Sequence, residues 1–438
     1  MSIEQAPSRG DWNPIDEALY GPEDLYRVRV GEADKLRLEA IKFSFSRQYN
    51  RNRFYHTLCK QRGITPEDLK TLDDLAKVPL VPGDIFKGYP EPEKFVPWLR
   101  GISCDDVKYP KVEGSSYEEL INRLNEHGLK VIFSTGTSGR CTFCPRDHVT
   151  LSRQAYFFLH NRRQLLGCDP EGYFVFLGTD TRNSNWSIAQ SVNLERIGRK
   201  DDRIYYLTDS KSTSATTKFI LGRRGGPEQK PQIFDEKARE DAEIKMIALL
   251  EDLSKKGAKG DLGGAPFLWN ALLSKMEDRG VRLKMDGWIF RTGAGWKLLE
   301  KEKISQEALY KKVEQVLGIP NENCRDIYAL TECTPSFTAC EGHYYHVPYT
   351  VVQPFVLDDS LEPRGFGESG QFAFIEVLSN AYPGYVITKD KLKLLESCPS
   401  CDRPGPVISP PITRMPGVED RGCMYSVRRL MIEELTNA

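Results

Sequence analysis

The stretch KVIFSTGTSGRCTFCPRD, residues 130–147, runs from a short apolar segment into a turn made of serine, threonine and glycine. Hydroxyls at Ser134, Thr135, Thr137 and Ser138, with backbone amides opened by Gly136 and Gly139, are what phosphate oxygens need. Arg140 and Arg146 add positive charge nearby. The turn is not a Walker A loop, because Gly-x4-Gly-Lys-[Ser/Thr] is absent. An ordinary strand-to-helix turn would read the same way. Cys141 and Cys144, with two residues between them, also have the spacing of a thiolate pair on one metal ion. Phosphate cradle, plain turn and metal knuckle all remain open on this stretch alone.

The elements around it narrow the choice. Residues before it read as helical: EADKLRLEAIKFSFSRQYNRNRFYHTLCKQRG spaces its apolar residues as a helix does, and TPEDLKTLDDLAKVPLVP shows two N-cap-plus-acid helix starts that end at prolines. From Val131 the pattern changes. Short apolar runs (VIF, YFVFLG, RIYYL, GWIFRTG, RDIYAL) alternate with amphipathic segments such as Asp241–Lys256 and Pro266–Arg279, the signature of an α/β fold with a largely parallel sheet. Residues 348–390 predict strands joined by a Gly/Pro turn, a small antiparallel unit, and the last stretch is rich in Pro, Gly and Cys before a short helix, YSVRRLMIEELTN. No internal repeat stands out.

Bulk properties exclude some classes. With 438 residues the chain has room for a large core and more than one lobe, and its net charge of −1 argues against a general nucleic-acid binder. No run of about 18 apolar residues is present, so no membrane span is expected. The first residues, MSIEQAPSRGDWNPIDEALYG, lack the basic and apolar regions of a secretory signal. Eleven cysteines scattered along such a chain read as reduced thiols in a cytoplasmic protein, some of them free to hold metal.

Companion motifs decide the matter. IYALTECT, residues 327–334, has the form aromatic-x-x-Thr-Glu, and YVITKD, residues 385–390, the form Tyr-x-x-Thr-x-Asp. Together with the serine-rich loop, and in this order, they resemble the motifs of the adenylate-forming (acyl- and aryl-CoA ligase) superfamily. NRFYHTLCKQRGITPEDLKTLDDLAKVPLV resembles the opening helices of phenylacetate–CoA ligases. VPGDIFKGYP (81–90), TGAGWKLL (292–299) and RGC (421–423) resemble the acyl-protein synthetases of bacterial luminescence, which activate fatty acids for reduction. On this resemblance the phosphate cradle prevails.

The resemblance implies a large α/β domain with parallel-rich sheets, a small antiparallel β unit and a truncated C-terminal lobe. Its parts would be a helical region 1–125, a nucleotide-binding core 126–335, a β unit with a zinc site 336–414 and a remnant 415–438. It also implies roles. The loop Ser134, Thr135, Gly136, Thr137, Ser138, Gly139 and Arg140 would embrace the β- and γ-phosphates of ATP. Glu332 would hold Mg²⁺, for which a hard oxygen donor is suited. Thr331 would contact the α-phosphate, Tyr328 would lie near the adenine, and Gly293 and Gly295 would lay backbone against it. Asp390 would accept the ribose hydroxyls, as an ionised carboxylate can. Lys297 would meet a phosphate or a carboxylate.

CPSC, residues 398–401, spaces Cys398 and Cys401 for one Zn²⁺ and needs further ligands. Cys141 and Cys144 sit in the phosphate loop, where a metal would compete with nucleotide. CEGHYYH supplies Cys340 and His346, with His343 as a substitute, and Cys-x5-His before a cysteine pair resembles the zinc site of some phenylacetate–CoA ligase-like proteins, whose later pair is more often Cys-x-Cys. A closed Cys3His site would be structural.

In the luminescence synthetases a cysteine near the C-terminus carries the acyl group, and Cys423 lies in the matching place. A thiolate is the natural acceptor from an acyl-adenylate. Ordinary ligases of this kind continue into a C-terminal lobe of roughly 100 residues, and here only a short segment follows RMPGVEDRGC, with no glycine-flanked lysine. The expectation is therefore a cytoplasmic ATP-dependent acid:AMP ligase that passes the acyl group to a thiol: its own cysteine, a partner or carrier protein, or CoA. Two rivals are a catalytically retired nucleotide-binding protein and a zinc-ribbon nucleic-acid module, the latter at odds with the neutral charge. No residue names the acid: Trp186, Trp269 and Trp288 are more often plain core than a pocket lining, and no feature sets an oligomeric state.

Overall fold

The computed structural model of the chain describes residues 6–134, 140–180, 193–194, 196–197, 199–208, 236–293, 295–296 and 302–415. Local signals set the helical beginning. Asn13 accepts from the amides of Ile15 and Asp16, Asp16 returns the bond to the Asn13 amide, and Pro14 opens the helix Pro14–Tyr20. The long helix Val30–Arg51 follows, and Asn52 both ends it and caps the next, Arg53–Arg62, which stops at Gly63 with a φ of 64°.

The two helix starts expected in TPEDLKTLDDLAKVPLVP do not become α-helices. They are 3₁₀ turns at Pro66–Asp68 and Asp73–Lys77. Asp68 and Asp74 accept from the amides of Thr65 and Thr71, both at 2.8 Å, so the acid of each expected start bonds back as its sequence promises. The second cap and then Pro79 follow too soon for either turn to propagate.

Fourteen strands carry the rest: β1 Val81–Pro82, β2 Lys130–Phe133, β3 Phe143–Arg146, β4 Tyr173–Thr179, β5 Ile204–Thr208, β6 Gly260–Gly264, β7 Ile289–Gly293, β8 Cys324–Tyr328, β9 Phe337–Ala339, β10 Tyr345–His346, β11 Val352–Leu357, β12 Ser369–Glu376, β13 Tyr385–Leu395 and β14 Val407–Arg414. Twelve form one mixed sheet in the order β11-β12-β13-β14-β10-β9-β8-β7-β6-β4-β5, with β1 beside β13. From β5 through β4, β6 and β7 to β8 every pairing is parallel; from β8 through β9, β10, β14, β13 and β12 to β11 every pairing is antiparallel. The α/β class expected from the alternating pattern is thus what the chain adopts, and its parallel and antiparallel halves join at β8.

The helices Glu236–Lys255, Pro266–Asp278 and Gln306–Leu317 turn their apolar residues toward the parallel half, where Leu250, Trp269, Leu273, Val313 and Val316 bury with Val175, Leu262 and Phe290. Trp269 and Trp288 are fully buried in this cluster, so both are core; Trp186 lies outside the described residues. A second, larger core joins the N-terminal helices to the antiparallel half. Among the described residues no helix is long and apolar enough to cross a membrane.

Candidate active site and metal cluster

In a parallel sheet, ligands collect at the carboxyl ends of the strands. Here β7 ends at Gly293, in register with Ile327, and β8 ends one residue later at Tyr328. The chain leaves β7 through Gly295, at a φ of 61°, and leaves β8 into a loop that holds Thr331 and Glu332 before returning as β9. The turn TGAGW and the motif IYALTECT are therefore neighbours. Tyr328 lies on Phe337, with ring centroids 5.7 Å apart, and its hydroxyl donates to Asp390 Oδ2 at 2.6 Å. Burial pushes the Tyr328 phenol well above its ordinary value, which keeps it a donor.

Asp390 sits on β13, is buried and pairs through Oδ1 with Arg414 of β14 at 3.2 Å. Both oxygens thus have partners, one a phenol and one a cation whose side chain is largely exposed. Glu332 is half-buried, and burial raises its carboxyl despite the nearby Lys87 cation.

The segment VPGDIFKGYP closes this side. Val81 and Pro82 pair in parallel with Val386 and Ile387 of YVITKD, which puts Gly83 against Glu332. A Cβ on Gly83 would lie 3.1 Å from Glu332 Oε1, tight enough to displace the carboxylate. Asp84 then binds Lys389 at 2.6 Å and Lys87 at 3.5 Å. This Asp84–Lys87–Lys389 group escaped the sequence reading, because only the β1–β13 pairing brings its parts together.

The serine-rich loop is carried on a hairpin rather than a strand-to-helix turn. β2 and β3 pair antiparallel, Ser134 N–H donates to the Thr142 carbonyl at 3.1 Å, and the Ser134 hydroxyl accepts from Thr142 N–H at 2.9 Å. Thr135–Gly139 lie outside the described residues. Arg140 is exposed, donates to the Tyr89 carbonyl and lies 4.1 Å from the Tyr89 ring centroid. Arg146 departs from expectation: it is fully buried and bonds to Thr334 and to the Thr331 carbonyl, so it supports the Thr-Glu loop from below. Cys141 and Cys144 are buried core thiols apart from the metal-type cluster. Lys297 and Cys423 lie outside the described residues.

The other chemistry gathers where β10 meets the β13–β14 turn. Ligand atoms of Cys340, His346, Cys398 and Cys401 all lie within 4.8 Å of one another. Cys340 Sγ is 3.7 Å from Cys398 Sγ, and Cys401 Sγ is 3.3 Å from His346 Nε2. Two sulfurs on one tetrahedral ion at bond lengths of about 2.3 Å stand roughly 3.8 Å apart. The donor set and its spacing therefore fit a thiophilic metal ion. Burial, then the Arg403 charge, holds the His346 imidazole down at about 4, hence neutral and able to ligate. His343 is not a member; its Nε2 meets Asn321 Nδ2 at 2.9 Å. Gly342 explains the tight turn, since a Cβ there would sit 2.1 Å from Ser400 Cβ.

A mixed α/β sheet with these motifs at the carboxyl ends of its parallel strands has the fold of the adenylate-forming ligases. It matches 2-hydroxyisobutyryl-CoA ligase with a TM-score of 0.59 in an open conformation, at 12% identity over 89% of this chain and 71% of that one. With the same ligase in its thioesterification state the TM-score is 0.60, at 13% identity over 95% and 73%. The family likeness is narrower. Residues 239–432 match the family described as Acyl-protein synthetase, LuxE. The long-chain-fatty-acid–luciferin-component ligase of Aliivibrio fischeri is 21% identical over 365 residues, covering 82% of this chain and 79% of its own length. That of Vibrio harveyi is 22% identical over 407 residues, covering 90% and 88%. A stretch of 87 residues is 36% identical to phenylacetate-coenzyme A ligase of Aromatoleum evansii, covering 20% of this chain and 18% of that one. The resemblance to the acyl-protein synthetases, within the adenylate-forming ligases, holds.

Proposed function

We propose that the chain activates a carboxylic acid with ATP as an acyl-adenylate and passes the acyl group to a thiol. The observation that carries this reading is the convergence of the Gly293–Gly295 turn, the Tyr328–Asp390 pair and Glu332 at the ends of β7 and β8, walled by Gly83. Adenine would lie along Gly293 and Gly295 beside Tyr328. The ribose hydroxyls would bond to Asp390, in exchange for Arg414 or Tyr328. Glu332 and Thr331 would face the phosphates, and the loop Ser134–Arg140 would embrace the outer two.

Mg²⁺ would be held by Glu332, a half-buried carboxylate and so the hard donor this ion takes; bound there, it would neutralise phosphate charge. The substrate carboxylate oxygen attacks the α-phosphorus, the bond to pyrophosphate breaks, and the acyl-adenylate forms. A thiolate then attacks the acyl carbon and AMP leaves, the thiol proton going to solvent. The chain's part is to orient and to offset charge, the usual sources of rate in phosphoryl chemistry.

The acceptor we favour is a protein cysteine, Cys423 or one on a partner, as the likeness to acyl-protein synthetases supports. The Cys3His cluster would hold one structural Zn²⁺, pinning the β13–β14 turn to β10. A reducing cytoplasm suits so many free thiols. ATP–pyrophosphate exchange across a panel of fatty, aryl and small hydroxy acids tests the reading, with intact mass and acyl-CoA assayed alongside. Exchange with one acid class and a protein mass gain support it, acyl-CoA would move the acceptor to CoA, and no exchange overturns it.

A further inference from the structure

Arg146 stands at the end of β3, the strand returning from the Ser134–Thr142 turn, and is 0% exposed. Its Nη2 donates to the Thr331 carbonyl at 2.9 Å and its Nη1 to the Thr334 hydroxyl at 2.7 Å. That hydroxyl donates onward to Glu376 Oε1 at 2.9 Å. Glu376, also 0% exposed, accepts from the Leu378 and Ser379 amides through Oε2 at 2.7 and 3.1 Å. Beside it the Tyr382 hydroxyl donates to the Glu332 carbonyl at 3.3 Å, and the Arg146 guanidinium lies 5.3 Å from the Tyr382 ring centroid. The backbone carbonyls of Thr331 and Glu332, consecutive residues of the motif, are thus each held by a buried side chain.

Burying a guanidinium and a carboxylate is costly, and well-packed apolar residues of the same volume often fill such a space as stably. A charge network in this place is therefore weak support for stability. What it supplies is a fixed backbone: a planar guanidinium bonded to two oxygens of one loop sets its place as no apolar contact does. We infer that Arg146 and Tyr382 are positioning residues for the adenylation reaction, acting through the Thr331–Glu332 backbone to present the Glu332 carboxylate to Mg²⁺ and phosphate, and tying that loop to β3. The inference rests on the adenylation reading for its chemistry. Both side chains are fully buried, so their part is to hold the backbone.

The test compares wild type, Arg146→Lys and Tyr382→Phe by calorimetric ATP binding with and without Mg²⁺, and by acid-dependent ATP–pyrophosphate exchange, with melting curves giving the folded fraction. Per folded molecule, Tyr382→Phe should bind ATP normally without Mg²⁺ and need about 3–10 times more Mg²⁺ for half-saturation, as loss of one hydrogen bond predicts. Arg146→Lys should lower the exchange kcat by roughly 10–100-fold with a smaller change in KM for the acid, the mark of misplacement. Wild-type Mg²⁺ dependence and wild-type exchange per folded molecule in both variants would overturn the inference while leaving adenylation intact. If Arg146→Lys does not fold, Tyr382→Phe decides alone by the same readouts. Wild-type protein that shows no exchange, yet shows Mg²⁺-dependent ATP binding weakened in the variants, would remove adenylation and keep the positioning role. Absence of both in wild type overturns both.

Discussion

Among the described residues, the Asp390 centre and the Cys340 centre differ in how their charges are satisfied. Around Asp390 two carboxylates already have partners of their own: a phenol and an arginine for Asp390, two lysines for Asp84. Around Cys340 the donors face one another, sulfur against sulfur and sulfur against imidazole. In the first centre the side chains balance one another, so a ligand would have to replace one of those partners. The second gathers electron-pair donors whose natural common partner is a cation, as a permanent staple would. Stability should therefore follow the cysteine centre and activity the carboxylate centre.

Glu332→Gln should give the largest functional effect, lowering acid-dependent exchange by at least about 100-fold while the melting temperature hardly moves, because the proposed ligand for phosphate-bound Mg²⁺ would be lost from a half-buried position. A large loss of stability in this variant would erase the contrast between the centres. Next comes metal removal. A strong chelator should take about one Zn²⁺ per chain and lower the melting temperature by roughly 10 °C, read by metal analysis and calorimetry. A protein free of metal and unmoved by chelator would leave the cysteines as ordinary core thiols.

Gly342→Ala sharpens the same side. The added Cβ meets Ser400 Cβ at 2.1 Å, so the two ligand-bearing turns must part. The variant should lose metal affinity and about 1–3 kcal/mol of stability, measured by competition titration and denaturant unfolding. The smallest effect is expected from Tyr328→Phe. It removes one hydrogen bond to Asp390 and should change KM for ATP by about 3–10-fold with little effect on kcat. A collapse of kcat instead would give the phenol a part in the chemistry.

How much of this was legible depended on where the signal lay. Motifs contiguous in the chain singled out Tyr328, Glu332 and Asp390, because the strand ends that carry them are themselves short runs of sequence, and Tyr328 and Asp390 do meet. Spacing pointed to Cys398 and Cys401 but equally to Cys141 and Cys144, and it was the resemblance that supplied Cys340 and His346, the set whose ligand atoms lie together. What stayed hidden depended on pairing between distant strands. β6 reads GDLGG, poor in strand-forming residues, yet it lies at the centre of the parallel half between β4 and β7. Tertiary context overrides local preference there. Asp261 within it is fully buried and bonded to Arg199 and Arg291, a charge arrangement no spacing announces. Arg146 shows the same limit in reverse. Its neighbours in sequence suggested phosphate, whereas its neighbours in space are Thr331, Thr334 and Tyr382. The hairpin form of the serine-rich turn was missed because β3, with a proline and two polar or thiol residues, resembles the approach to a helix.

The most direct test of the account is acid-dependent ATP–pyrophosphate exchange by wild type and Glu332→Gln at equal folded fraction. The account predicts exchange that requires one class of carboxylic acid and falls to background in the variant. Exchange undiminished by the substitution, or none in the wild type with any acid, would contradict it.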